Sequence, residues 1–270
     1  MRIYVTNGVT QDGLGARFQR VVNLMAFAVQ LRDKFKLNIH YIHTPLWYEG
    51  FGVDFTMGES IRGGVDYPLN LQSAKQYRVR TVGWEKEIGY FGKTVTDIKY
   101  NNYKVGIDNL WRDIADKKCD GNIYVITHLN TEFDLGIYDI NMIVNHRDEI
   151  RERFRFLDLE GDDVACHIRR SDATGQRYVD DDYYLRMLTK YPNAIIYTQK
   201  VGFSSEKYNN FVIRYDDKVS DTETLSKLAN AKTLIMGNSS LSYVAALLNG
   251  NTVIYKSMQH IKQKHWIQYE

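Results

Sequence analysis

Short runs at residues 2–6, 38–42, 122–127, 163–168, 194–198, 211–214, 233–236 and 252–255 are rich in Ile, Val and Tyr and lack strict apolar–polar alternation. A strand with one wet face alternates. Runs of this kind need cover on both faces, the condition of a parallel sheet flanked by helices. Between them lie stretches of helical period. Val21, Leu24, Met25, Ala28, Val29 and Leu31 form a broad apolar face from Gly15 to about Lys34. Asp180, Asp181 or Asp182 can cap a helix through Leu185 and Leu188 to Lys190, Ser220 or Asp221 a second through Leu228, and Ser239-Ser240 a third through Leu248. Strand and helix alternate, which predicts an α/β protein.

The alternation is regular after residue 160 and looser before it. Segment 43–115 is dense in Gly and Tyr and reads as loop-rich, and a charged helix is predicted over 145–155. The division expected is two Rossmann-like domains, 1–158 and 159–270, with a cleft between them. A chain of 270 residues with 44 % apolar and 25 % charged residues supports cores of that size and excludes disorder. Thirty-five Lys and Arg against 33 Asp and Glu leave a net charge of +2, which calls for neither nucleic acid nor a membrane surface. Cys119 and Cys166 share no metal spacing and read as free thiols of a reducing compartment. The chain enters a strand at once, without an apolar leader, and stretches such as 24–31 fall short of the roughly 20 residues a membrane span needs. A soluble, cytoplasmic protein is expected.

Three segments at strand-to-helix junctions suit a phosphate. Gly13 and Gly15 lie between the first strand and the first long helix, where glycine lets the backbone approach a ligand and a helix N-terminus offers N–H groups, with Arg17 adding charge in the first turn. His167-Ile168-Arg169-Arg170-Ser171-Asp172 follows a strand whose carboxyl end is where ligands bind in an open α/β sheet. A guanidinium fork fits phosphate oxygens, and Asp172 can orient one arginine. In an extended segment the two arginines point opposite ways, so one reaches the ligand and the other braces the loop. Asn238, Ser239 and Ser240 stand at the third junction, where hydroxyls and amides meet anionic oxygens or simply cap the helix.

Other features have plainer readings. Asp180-Asp181-Asp182 resembles a metal-holding acidic cluster, but it precedes Tyr183-Tyr184-Leu185 and reads as a helix cap; no metal is expected. The basic segment with Lys256, Lys262, Lys264 and His265 reads as a solvated face. Trp47-Tyr48 and Tyr90-Phe91 are candidates for an acceptor pocket, since a pyranose has an apolar face that fits an aromatic ring. The sequence has no Gly-x-Ser-x-Gly, Walker loop or His-Glu-x-x-His, and the glycine loop lacks the third Gly of a dinucleotide fingerprint.

His-Ile-Arg-Arg-Ser-Asp (167–172) resembles the H-x-R-R-x-D signature of the fucosyltransferase superfamily, which has a variant GT-B fold and includes α-1,2-, α-1,6- and protein O-fucosyltransferases and bacterial nodulation-factor enzymes. Residues 12–19 are similar to that family's N-terminal Gly-x-Gly segment, and 224–248 to its last motif. The resemblance implies a GT-B-like fold, GDP-fucose as donor substrate, no cofactor or metal, a glycan hydroxyl as acceptor, and inverting transfer. By it, Arg169 or Arg170 holds the β-phosphate, His167 lies near the base or ribose, Ser239-Ser240 lie near the phosphates, and Gly13-Gly15 face them. Two positions depart from it. Ala173 and Arg177 stand where α-1,6-type relatives carry a Lys and a Glu, the latter a proposed base. Thr224, with Glu223 beside it, stands where the family tends to carry a nucleoside-contacting Asp.

The expectation is therefore a glycosyltransferase with Arg169 and Arg170 stabilising the leaving diphosphate and a carboxylate taking the acceptor proton. Asp180 is the candidate for that carboxylate, with Asp181, Asp182 and residues of the first half left open. Another GDP- or UDP-sugar, or a binding module of the same fold without chemistry, are the alternatives.

Overall fold

The computed structural model describes residues 2–7, 14–42, 101–126, 141–171, 173–256 and 262–269. Within them the chain forms two compact units, one of Met1–Gly13 and Arg17–Arg155, the other of Leu14–Ala16 and Phe156–Glu270. Both are α/β units with parallel sheets, as the unalternating apolar runs predict.

The described elements of the first unit are β1 (Ile3–Asn7), α1 (Leu14–Phe35, whose first three residues are counted with the second unit), β2 (Ile39–Tyr41), β3 (Tyr103–Val105), α2 (Ile107–Ala115), β4 (Ile123–Ile126), α3 (Met142–Asn145) and α4 (Arg147–Arg151). The described strands pair in the order β2-β1-β4-β3, all parallel. Phe18, Val21, Leu24, Phe27 and Leu31 of α1 are fully buried, yet Gln19, Asn23 and Gln30 are buried too, so the helix is enclosed beyond its apolar face. These three are neutral amides, which cost less to bury than charges, and Arg20 is buried among them.

One expectation for this unit is corrected, and one is tested only at its end. Of segment 43–115, expected to be loop-rich, residues 43–100 lie outside the described residues and the rest holds β3 and α2. Their signal is hidden because the middle of β3 is Lys104, whose ammonium pairs with the buried Asp113 of α2, and Tyr124 donates to the same carboxylate at 2.7 Å. The helix expected over 145–155 is broken at His146 and again after Arg151, where a 3-10 turn (Arg155–Asp158) takes over. The breaks turn Ile150 and Phe154 inward, and Phe154 packs edge-on against Phe18 at 4.9 Å.

The second unit contains β5 (Val164–Ile168), α5 (Asp181–Lys190), β6 (Ile195–Thr198), β7 (Val212–Tyr215), α6 (Asp221–Asn230), β8 (Thr233–Ile235), α7 (Ser240–Leu248), β9 (Thr252–Tyr255) and β10 (Ile267–Gln268). Its six parallel strands run β7-β6-β5-β8-β9-β10. Counted from β5, that is the 3-2-1-4-5-6 order of a doubly wound nucleotide-binding sheet. Each main helix is capped by the first of its sequence candidates. Asp180 accepts from Tyr183 N at 2.9 Å, Ser220 from Glu223 N at 3.2 Å and Ser239 from Ser242 N at 3.2 Å. All three caps have extended backbone, as the geometry of a cap requires. Cys166, Ile168, Tyr183, Tyr184, Leu188 and Ile196 form the core.

In the C-terminal segment Lys262, Lys264 and His265 are exposed, as a solvated face requires, and Lys256 is half-buried. Between them Gln263 and Trp266 are buried, Trp266 sits edge-on to Tyr243 and Tyr255, and β10 pairs beside β9. No described helix is long and apolar enough to cross a membrane.

Candidate functional site

The site is the junction where β5 and β8 lie side by side. After β5 the chain moves on through α5 to β6, and after β8 it turns the other way through α7 to β9. Two connections that diverge from neighbouring parallel strands leave a crevice at their carboxyl ends, and such a switch point is where this sheet type binds ligands.

Gly237 decides how closely the two loops meet. A Cβ there would fall 2.8 Å from His167 O and 2.8 Å from the Tyr184 hydroxyl, with Arg169 N at 3.8 Å. Only a residue without a side chain lets the end of β8 pass the end of β5 at that distance. Gly15, in the first turn of α1, is constrained in the same way. Its Cβ would lie 2.7 Å from Leu241 Cα and 2.8 Å from Ser240 C, so that turn packs on the start of α7.

The adjacent arginines have different surroundings. Arg170 is a brace. Its Nη1 donates to Arg169 O at 2.9 Å and Val179 O at 3.1 Å, and its Nη2 meets Asp181 Oδ1 at 2.5 Å. Its guanidinium also lies over the rings of Tyr178 and Tyr184, at 4.8 and 5.4 Å. Burial works against its charge, and Asp181 outweighs that and raises its pKa. Asp181 is equally committed. Burial would raise its carboxyl, but hydrogen bonds from Lys207, Tyr208 and Arg170 hold it at about 2. Arg169, half-buried, follows β5 directly, its backbone N beside Gly237.

His167 lies beneath the crevice, buried. Its Nδ1 contacts Ser242 Oγ and lies 3.4 Å from Ser239 Oγ. Burial, and then the charge of Arg169, lower its pKa to about 3, so the ring is neutral at physiological pH. One histidine therefore ties β5 to both the cap and the first turn of α7. On the far side, Thr198 Oγ1 donates to Ile168 O at 2.7 Å and Gln199 Oε1 accepts from Arg170 N at 3.3 Å, fixing the loop after β5.

Of the residues expected from sequence, the structure gathers Gly15, His167, Arg169, Arg170, Asn238, Ser239 and Ser240 around this junction. Asn238 and Ser239 are buried and Ser240 half-buried. Glu223 and Thr224 stand on the first turn of α6, where their amides donate to Ser220 Oγ and Ser220 O. Asp180 caps α5 and pairs with Lys256, which, against some burial, lowers its pKa. Gly13 and Asp172 lie outside the described residues, as do Trp47-Tyr48 and Tyr90-Phe91; Arg17 is placed in the first turn of α1 by its backbone. Sequence reasoning did not single out Ser242, Asp181 as the brace's acid, or Thr198. The spacing of Ser239 and Ser242, one helical turn apart, was the available sign of the first.

No protein-family model matches the chain, and no curated protein matches it. Among solved structures it is similar to the E. coli heptosyltransferase WaaC with ADP-2-deoxy-2-fluoro heptose, at 11% sequence identity and a TM-score of 0.46, covering 100% of this chain and 93% of that one.

Proposed function

We propose that the chain is a glycosyltransferase whose second unit holds the diphosphate of a nucleotide-sugar donor between β5 and β8. The observation that carries this reading is the meeting of Arg169, Gly237 and the N-terminus of α7 at the switch point of a 3-2-1-4-5-6 sheet. A helix N-terminus supplies free N–H groups and partial positive charge, and an arginine beside it supplies a full one. The H-x-R-R-x-D resemblance supports the same assignment.

The finer reading is an inverting, metal-independent transfer of fucose from GDP-fucose to a glycan hydroxyl. The acceptor oxygen bonds to the anomeric carbon as the bond to the diphosphate breaks, and the departing charge falls on oxygens facing Arg169 and the α7 amides. Arg169 is the arginine that meets the donor; Arg170 holds the loop. His167 stays neutral and keeps α7 against β5. Among the triplet, Asp180 and Asp181 are held as anions by Lys256 and by Arg170 with Lys207, which makes them weak proton acceptors. Asp182 is exposed and makes no side-chain hydrogen bond among the described residues, so it is the carboxylate of the three left for that step.

The commitment of Asp180 and Asp181 also favours a second reading, a nucleotide- or glycan-binding module without transfer. Thermal stabilisation by GDP, UDP, ADP, CMP and phosphate, followed by assay of product from the stabilising nucleotide's sugar conjugate, separates the readings. A shift with GDP that Arg169→Ala removes, together with product, supports the fucosyl transfer. A shift with UDP replaces the donor, and a shift without product leaves the binding module. No shift with any nucleotide overturns the site.

A further inference from the structure

Beside β2, the outermost described strand on its side of the first sheet, the structure holds a cavity of about 420 Å³ that the proposed transfer does not use. Every lining residue belongs to the first unit, so it is separate from the β5–β8 junction. Its size falls in the range of small-molecule sites, which are about 300–1,000 Å³.

The floor is apolar, with Val29 of α1 beside Ile39 and Ile42. Tyr4 adds an aromatic wall, its ring 6.1 Å from that of His40. The rim is cationic. Arg2, Arg32 and Arg153 line it, and among the described lining Glu149 is the sole acid. That acid is already neutralised, because Arg32 forks onto both its oxygens at 2.9 Å. Arg2 and Arg153 are therefore the charge in excess. Both are exposed; the Arg2 guanidinium lies 3.5 Å from the Tyr4 hydroxyl with the charge of Asp120 nearby, and Arg153 acts on Glu149 through its charge without an ion pair among those described.

The two features constrain a ligand together. A neutral apolar molecule would leave the arginines facing water. A bare inorganic anion would leave uncovered the apolar surface that Tyr4 and Val29, each 8% exposed, still show. A ring with a charged head satisfies both, since guanidinium groups match carboxylate and phosphate oxygens and the ring removes apolar area from water. We propose that this cavity binds a small amphipathic anion, an aromatic phosphate or carboxylate, with its ring on Val29, Ile39 and Ile42 beside Tyr4 and its head held by Arg2 and Arg153.

Calorimetric titration of the full chain with phenyl phosphate and phenylacetate, and with inorganic phosphate and phenol as controls, tests this. At least one aromatic anion should bind about tenfold more tightly than either control, and which one it is identifies the head group. Arg2→Gln and Arg153→Gln should each weaken it severalfold, and Ala28→Leu, which fills the cavity, should abolish it. Arg169→Ala should leave it unchanged, which separates this site from the donor junction. The two exposed arginines can be replaced without disturbing the core, so the test stands even if Ala28→Leu fails to fold. Absence of binding at millimolar concentration, binding indifferent to both arginine replacements, or binding lost with Arg169→Ala would each overturn the proposal.

Discussion

Arg170 Nη2 and Asp181 Oδ1 meet at 2.5 Å where the loop after β5 enters α5, with side chains only 7% and 20% exposed. An arginine at the carboxyl end of a central strand invites assignment to a ligand. Here the acid, two carbonyls and two tyrosine rings account for it, and under the proposed function its neighbour, Arg169, is the one that meets the ligand.

The pair has an acid signature. Asp181 sits at about 2 in the folded chain, against an ordinary 3.8. A carboxylate whose pKa is lowered by folding stabilises the protein above its unfolded pKa, and that stability is lost as pH falls through the folded value. Asp181→Asn is expected to cost on the order of 2 kcal/mol at pH 7. The cost should shrink between pH 4 and pH 2, a window bounded by those two values. Urea unfolding of both proteins across this range measures it; a cost independent of pH would mean that the pair contributes nothing through charge.

The two arginines should separate by readout. Arg169→Ala is expected to weaken nucleoside diphosphate binding by about tenfold or more, the size of a lost charge-assisted contact, with a smaller loss of stability than Arg170→Ala. Arg170→Ala removes a buried charge-assisted partner of half-buried Asp181, which keeps Lys207 and Tyr208, and should cost about 1.5–3 kcal/mol of stability. Paired thermal melts and calorimetric titrations check both. Equal losses of affinity with unchanged stability would reverse the two roles.

His167 works in a different pH range. Its folded pKa is about 3 and its ordinary value 6.5. The unfolded chain binds the proton that the folded chain refuses, so the contribution is full above pH 6.5 and is lost as pH falls towards 3. The slope across that window should reach about 1.4 kcal/mol per pH unit. His167→Asn should remove the slope, and a denaturation series from pH 4 to pH 7 reads it directly. Donor binding, by contrast, should show no inflection from this ring between pH 5 and 8.

The strands of the second unit were readable because both faces of a central parallel strand must be apolar, and β5 shows that in five consecutive buried residues. The caps were readable because Asp and Ser occupy extended positions that free amides can reach. What stayed hidden was carried by pairings distant in sequence. Lys104 breaks the apolar run of β3 because its partner, Asp113, lies on the following helix. Ser242 looks like any serine of an apolar helix until β5 brings His167 against it. The two-residue β10 has no pattern of its own, and its place is set by Tyr255 and Trp266. The identity of the bracing arginine was open for the same reason, since the two neighbours in sequence differ only in what the fold sets beside them.

Gly237 offers the sharpest test of the junction itself. A methyl group there would press on one backbone oxygen, His167 O, and on one side-chain atom, the Tyr184 hydroxyl, each at 2.8 Å. The hydroxyl can be removed and the carbonyl cannot. Gly237→Ala is expected to cost about 1–3 kcal/mol, the usual range for overfilling a packed site. Tyr184→Phe combined with it should recover part of that cost, giving a favourable interaction energy between the two changes of about 0.5 kcal/mol or more. Donor affinity should fall in Gly237→Ala and only partly return in the double variant, because the displaced His167 carbonyl still shifts Arg169 from the α7 N-terminus. A double-mutant cycle on stability and on nucleotide binding reads both quantities. Strict additivity would mean that the loop moves away from β5 as a unit, and the close approach that defines the crevice would then not be required for it.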